Sequence, residues 1–125
     1  MMKVIHSELA PKAVGPYSQA IVAGGFVFAS GQLPIDPATG EFAEGGIKEQ
    51  TRQSLTNVTH VLAEAGIDLS HVVKTTVFLS DMANFAAMNE VYATFFSELY
   101  PARSAVAVKT LPKNALVEVE VVAAL

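Results

Sequence analysis

The sequence predicts an α+β fold: a mixed six-stranded sheet with two helices on one face, built as one domain over residues 1–125. Three observations predict it. Strand-like and helix-like patterns follow in the order β-β-β-α-β-α-β-β. Each helical segment separates two strand-like segments, as crossover connections do. The last strand, LVEVEVVAAL (116–125), alternates glutamate with valine, so one of its faces is apolar and the other is not.

The elements are justified in turn. Residues 2–6 form a short strand. QAIVAGGFVFAS (19–30) reads as two strands around Gly24-Gly25, a two-residue turn that tolerates positive φ at both positions. GQLPIDPATGEFAEGG (31–46) is a loop with turn signals at Leu33-Pro34, Asp36-Pro37 and Thr39-Gly40. From Ile47 to Ala65 the small or apolar positions Ile47, Thr51, Leu55, Val58, Leu62 and Ala65 recur at steps of three and four, and Gly66 stands where a C-terminal cap belongs. HVVKTTVFLS (71–80) is β-branched and strand-like. A second helix starts after Asn84 as N-cap, carries Phe85, Met88, Tyr92, Phe95 and Leu99 on one stripe, and is ended by Pro101. Strands at 104–109 and 116–125, joined by TLPKNA (110–115), close the chain.

Crossovers are right-handed almost always, which puts both helices on one face and leaves the other bare. A sheet of five or six strands is roughly 25 Å wide at about 4.8 Å per strand. The chain is poor in charge for covering such a face with polar groups: 51% of its residues are hydrophobic, 16% are charged, and the mean hydropathy is +0.39. Average domains carry about 25% charged residues. The bare face is therefore expected to be covered by other copies of the chain, most simply in a closed ring. The net charge of −4 and the absence of a basic run argue against a nucleic-acid partner. The longest apolar run, AIVAGGFVFA (20–29), is about half a membrane span, and the N-terminus lacks the apolar segment of a signal peptide. A soluble, cytoplasmic protein with no membrane partner is expected. With no cysteine there is no disulfide, thiolate nucleophile or cysteine-based zinc site.

In YPARSAVAV (100–108), Arg103 opens a small, apolar strand-like run, either as a solvated strand end or as an anion clamp at the mouth of a pocket. Arginine grips small carboxylates bidentately, best when partly desolvated. Glu118 and Glu120 share the face opposite the valines, the face that a neighbouring subunit would cover, and they read either as an exposed polar stripe or as carboxylates in an intersubunit cleft. An arginine for a substrate carboxylate and a glutamate for handling water suffice for an easy hydrolysis. His6, His60 and His71 lie on separate elements without metal-ligand spacing, and neither Gly24-Gly25 nor Gly45-Gly46 has a phosphate-loop pattern. Tyr17 in GPYSQA, Ser30 and Gly31 in ASGQLP, and Asn89 on the second helix are further polar positions. Each taken alone reads as packing, turn or solvated helix; convergence on one pocket would reverse that.

GPYSQAI (15–21), ASGQLPIDPATGE (29–41), VVKTTVFLSDMANFAAMNEVYATFF (72–96), PARSAV (101–106) and LPKNALVEVE (111–120) together closely resemble the Rid family, the reactive intermediate deaminases that hydrolyse 2-iminobutanoate and 2-iminopropanoate. The resemblance covers nearly the whole chain in order. It implies a chorismate-mutase-like fold and a homotrimer with a central barrel of sheets, helices outside and three sites between subunits. It also implies that Arg103 binds the substrate carboxylate and that Glu118 orients and activates the hydrolytic water. Tyr17, Ser30, Gly31 and Asn89 match pocket-lining positions, and Glu120 matches a second, non-catalytic acid. Many relatives have cysteine where this chain has Ala105; the family uses that position through its backbone, so Ala105 is expected to serve, with an altered substrate preference.

The implied activity is hydrolysis of small 2-imino acids or enamines to 2-keto acids and ammonia, with no cofactor and no metal. Phe and Val side chains are expected to accept the alkyl tail. The alternative is a non-catalytic trimer that binds metabolites or protein partners, as chaperone-like or translation-modulating relatives are described. Arg103 is the feature that favours deamination. Chorismate mutase activity is a weaker third reading, because two carboxylates and an ether oxygen ask for more cations than one arginine.

Overall fold

The alternation of residues 117–121 organises the molecule. A computed structural model of the chain describes residues 2–97 and 99–125. Its strands are β1 (Lys3–Ile5), β2 (Ala20–Ala23), β3 (Phe26–Gln32), β4 (Val72–Leu79), β5 (Ala102–Ala107) and β6 (Val117–Ala124), and its helices are α1 (Ile47–Glu64) and α2 (Phe85–Phe95). They form one six-stranded sheet in the order β1-β2-β3-β6-β4-β5. All pairings are antiparallel except β4 with β5, so the sheet is mixed. β6 lies between β3 and β4. Its Val117, Val119, Val121 and Ala123 are buried, while Glu118, Glu120, Val122 and Ala124 face the other way and stay partly open.

The valine face carries the core. Val27, Val77, Val117, Val119 and Val121 pack with Leu55, Val58 and Leu62 of α1 and with Met88 and Tyr92 of α2. Both helices thus cover one face, as expected. Burying these side chains supplies the main favourable term in folding, about 25 cal/mol per Å² of apolar surface. The opposite face retains Phe26 at 40%, Phe28 at 48% and Val106 at 45% exposure. The hairpin between β2 and β3 is closed by Gly24 (φ 59°) and Gly25 (φ 81°), with Ala23 paired to Phe26, a turn that needs positive φ at both central residues.

Three boundaries differ from the sequence reading. Asn84 does not cap α2: its backbone is already helical and its side chain makes no capping bond. A 3₁₀ turn at Met82–Asn84 leads into the helix, and Asp81 caps it by accepting from Ala83 N at 2.9 Å. α2 also stops at Phe95, well before Pro101, because Phe96 turns to an extended conformation (φ −117°, ψ 153°) and lays its ring 4.7 Å from that of Tyr92. Leu99 consequently leaves the apolar stripe and is 94% exposed. β5 starts at Ala102 rather than residue 104, which puts Arg103 inside the strand.

Candidate functional site

The strands that carry Arg103 and Glu118 follow one another in sequence but are not neighbours in the sheet. β4 separates β5 from β6. The register sets Arg103 level with Thr75 and Glu118 level with Phe78. Thr75 is fully buried under the helices, whereas Phe78 and Glu118 belong to the bare face. From strand spacing and rise, the two Cα atoms are about 14 Å apart. Arg103 and Glu118 therefore sit on opposite faces of one sheet, and the candidate residues fall into two groups.

The carboxylate group lies at one end of β3 and β6. Opposite β6, the ladder runs from the pair Ala29–Val121 to the pair Gln32–Val119, leaving an extra residue on β3 at Ser30–Gly31. Such bulges bend a strand and re-aim what it carries. Ser30 is held from both sides: its N–H donates to Gln19 O at 2.9 Å and its hydroxyl to Ser18 O at 2.6 Å. Gly31 lies directly beneath Glu118. A Cβ there would stand 2.7 Å from Glu118 Oε2 and 2.8 Å from Cδ, so only a glycine lets the carboxylate lie flat on the strand. Tyr17, half exposed, Ser30, Gly31, Glu118 and Glu120 border one cavity of about 680 Å³.

Burial pushes the Glu118 carboxyl above the ordinary carboxylate range, and the negative charge of Glu120 pushes it the same way. Among the described residues no donor or cation is hydrogen-bonded to it. It is thus a more basic carboxylate than its exposed counterparts, with room above it.

The arginine group lies at the edge strand, on the helix side. Arg103 Nη1 donates to Asn89 Oδ1 at 2.7 Å, and the guanidinium carbon is 4.7 Å from the Tyr92 ring centroid and 5.5 Å from that of Phe85. Arg103 is half-buried and makes no salt bridge among the described residues. A second cleft, about 450 Å³, runs past Asn89, Tyr92, Tyr100, Pro101 and Arg103. Ala105, two residues along β5, is partly buried and packs on the core.

The convergence of all these positions on one pocket does not occur within a single chain. Tyr17, Ser30, Gly31 and Glu118 come together, and Asn89 joins Arg103. Sequence reasoning missed Gln19, which ties the N-terminal segment down: Ser7 N donates to its Oε1 at 2.6 Å, and its Nε2 donates to Ser7 O and Pro11 O. It also missed Phe85 and Tyr92 as neighbours of the arginine, although both were marked as one helical stripe. The histidines remain apart, bonded to Glu8, Leu9 O and Ala124 O respectively. Among the described residues, no group of three or more potential metal ligands is present, and no helix is long and apolar enough to cross a membrane.

A family model described as endoribonuclease L-PSP matches residues 7–125. The structure of a Rid-family protein of unknown function from Yersinia pestis aligns with a TM-score of 0.97 at 48% identity, over 100% of both chains. The chain belongs to the Rid family. A RutC family protein of Pyrococcus horikoshii is 57% identical over 98% of each chain. Within the same Rid family, a 2-iminobutanoate/2-iminopropanoate deaminase of the goat, Capra hircus, is 45% identical over 97% of this chain and 88% of its own. The family thus includes deaminases of small imino acids alongside members whose names state no reaction, and the six-stranded α+β fold with two helices is the one its solved structures have.

Proposed function

We propose that this Rid protein hydrolyses small 2-imino acids, 2-iminobutanoate and 2-iminopropanoate among them, to 2-keto acids and ammonia. The active form is a homotrimer in which the arginine group of one copy faces the carboxylate group of the next. The observation that carries this reading is the Glu118 carboxylate: half-buried, raised in basicity, without a hydrogen-bond partner among the described residues and laid over a glycine in an open cavity. A carboxylate so placed is a general base awaiting a water. Its counterpart, a braced arginine with donors to spare, is the usual grip for a planar carboxylate. The apolar bare face, with Phe26, Phe28 and Val106 open, supports the assembly that would join them.

The mechanism needs few groups. Arg103 holds the substrate carboxylate and so fixes C2 near Glu118. Enamines first tautomerise to imines. Glu118 then removes a proton from water as the oxygen bonds to C2, and the C=N electron pair moves to nitrogen, which takes up a proton from solvent. The tetrahedral intermediate collapses: Glu118 returns its proton to the nitrogen, the hydroxyl gives its proton up to solvent as the C=O bond forms, the C–N bond breaks, and ammonia leaves a 2-keto acid behind. Positioning plus one base is adequate for a reaction that water performs unaided, each tenfold of acceleration asking about 1.4 kcal/mol. The residues are sufficient for this route without a cofactor.

The test is direct. 2-Iminopropanoate generated in situ from alanine by an amino-acid oxidase is followed with and without the protein. The protein is expected to speed its disappearance, and Arg103→Ala to remove the effect while the protein stays folded. A wild-type protein without effect on any small imino acid would overturn the reading and leave a binding protein.

A further inference from the structure

A grip on a carboxylate is only as good as the orientation of the guanidinium plane. An arginine side chain has four rotatable bonds, and immobilising it costs binding free energy unless the protein has already done so. Asn89 fixes one corner of Arg103 through the 2.7 Å bond to Nη1. One corner does not fix a plane.

Tyr92 does. Its ring lies under the guanidinium at 4.7 Å, and it is itself immobile. It is 5% exposed, its hydroxyl is hydrogen-bonded to Thr75 Oγ1 at 2.8 Å, and the Phe96 ring packs against it. Thr75, fully buried, is the residue paired with Arg103 across the β4–β5 ladder. The contacts close a triangle: Arg103 rests on Tyr92, Tyr92 is tied to Thr75, and Thr75 is level with Arg103 in the sheet. Phe85, one turn before Asn89 on α2, supports the guanidinium from 5.5 Å. A tyrosine serving the core alone would have no need of a cation on its face.

We infer that Tyr92, held by Thr75 and assisted by Phe85, is a positioning residue that presets the plane of the Arg103 guanidinium for bidentate capture of the substrate carboxylate. This rests on the reading of Arg103 as the carboxylate-binding residue and goes beyond it. Tyr92 touches no substrate. It acts by keeping donors aimed before the substrate arrives, so its loss weakens binding rather than slowing the proton transfers at Glu118.

The experiment compares steady-state hydrolysis of 2-iminopropanoate with titration of pyruvate, a stable keto acid carrying the same carboxylate. In Tyr92→Leu, KM and the pyruvate dissociation constant are expected to rise together by about tenfold, with kcat near that of the wild type. Tyr92→Phe keeps the ring and should restore most of that affinity. Phe85→Leu, at a half-buried position, should raise both constants by about threefold, and it decides the matter if Tyr92→Leu fails to fold. A purely structural tyrosine would lower the melting temperature and the active fraction but leave KM and the pyruvate constant alone; that result overturns the inference. Arg103→Ala separates the two levels. If it loses pyruvate binding while the aromatic variants keep it, the platform is wrong and the arginine reading stands. If Arg103→Ala itself binds and turns over normally, the arginine reading falls and the platform with it.

Discussion

Gly31→Ala is the most informative single substitution. The added methyl would stand 2.7 Å from Glu118 Oε2 and 2.8 Å from Cδ. Ordinary contact between such atoms is about 3.5 Å, so the carboxylate must move by nearly 1 Å. It has the freedom to do so, because a half-open cavity lies above it and among the described residues it has no hydrogen bond to break. The backbone at Gly31 is not in the left-handed region, so alanine adds no φ strain there. The fold should therefore survive with a melting temperature close to that of the parent. Catalysis should not, since a 1 Å misplacement of a catalytic group costs roughly 100-fold. The assay is hydrolysis of enzymatically generated 2-iminopropanoate, trapped before and after protein addition, beside a thermal melt. The expected result is a roughly 100-fold loss in kcat with an unchanged melt. Wild-type kcat in a folded Gly31→Ala protein would refute the placement of Glu118 as the base.

Three further outcomes follow from the same geometry. If Glu118 is the proposed base it acts ionised, and because its carboxyl is raised the acid limb of the rate profile should lie above pH 4.5, and Glu120→Gln should move it to lower pH by removing the neighbouring charge. Raised basicity in the fold also means that wild-type stability is lost as pH climbs from 4.5 through the folded value, so Glu118→Gln should be at least as stable as the parent at neutral pH, with the gap closing in acid; chemical denaturation at both pH values measures it. Gln19→Ala leaves a buried N–H and two carbonyls without partners and should cost about 3 kcal/mol in denaturant unfolding, with earlier proteolysis near Pro11.

Much of the fold was legible in local pattern. The Val/Glu alternation of β6, the Gly-Gly turn and the period of α1 are short-range signals, and each appears where the sequence places it. The boundaries of α2 were misread because Asp81 and Asn84 offer equal capping chemistry, and the competition is settled by a 3₁₀ turn that no periodicity marks. Strand order lies further out of reach. Nothing within 102–107 says that β5 pairs with β4 rather than β6, or in which register, and those two choices decide on which face Arg103 emerges. The site residues were named as types suited to their chemistry; their division into two groups depends on a register and a bulge formed between segments about ninety residues apart.

The central claim is that the two groups work together only across copies of the chain. It is tested by mixing two inactive variants, Arg103→Ala and Glu118→Gln, through joint unfolding and refolding. Each alone should be inactive. In mixed assemblies about a quarter of the interfaces, by random assortment, would join an intact arginine to an intact glutamate, and activity should return to about that fraction of the parent level. A mixture as inactive as its components, from protein shown to exchange subunits, would contradict the account.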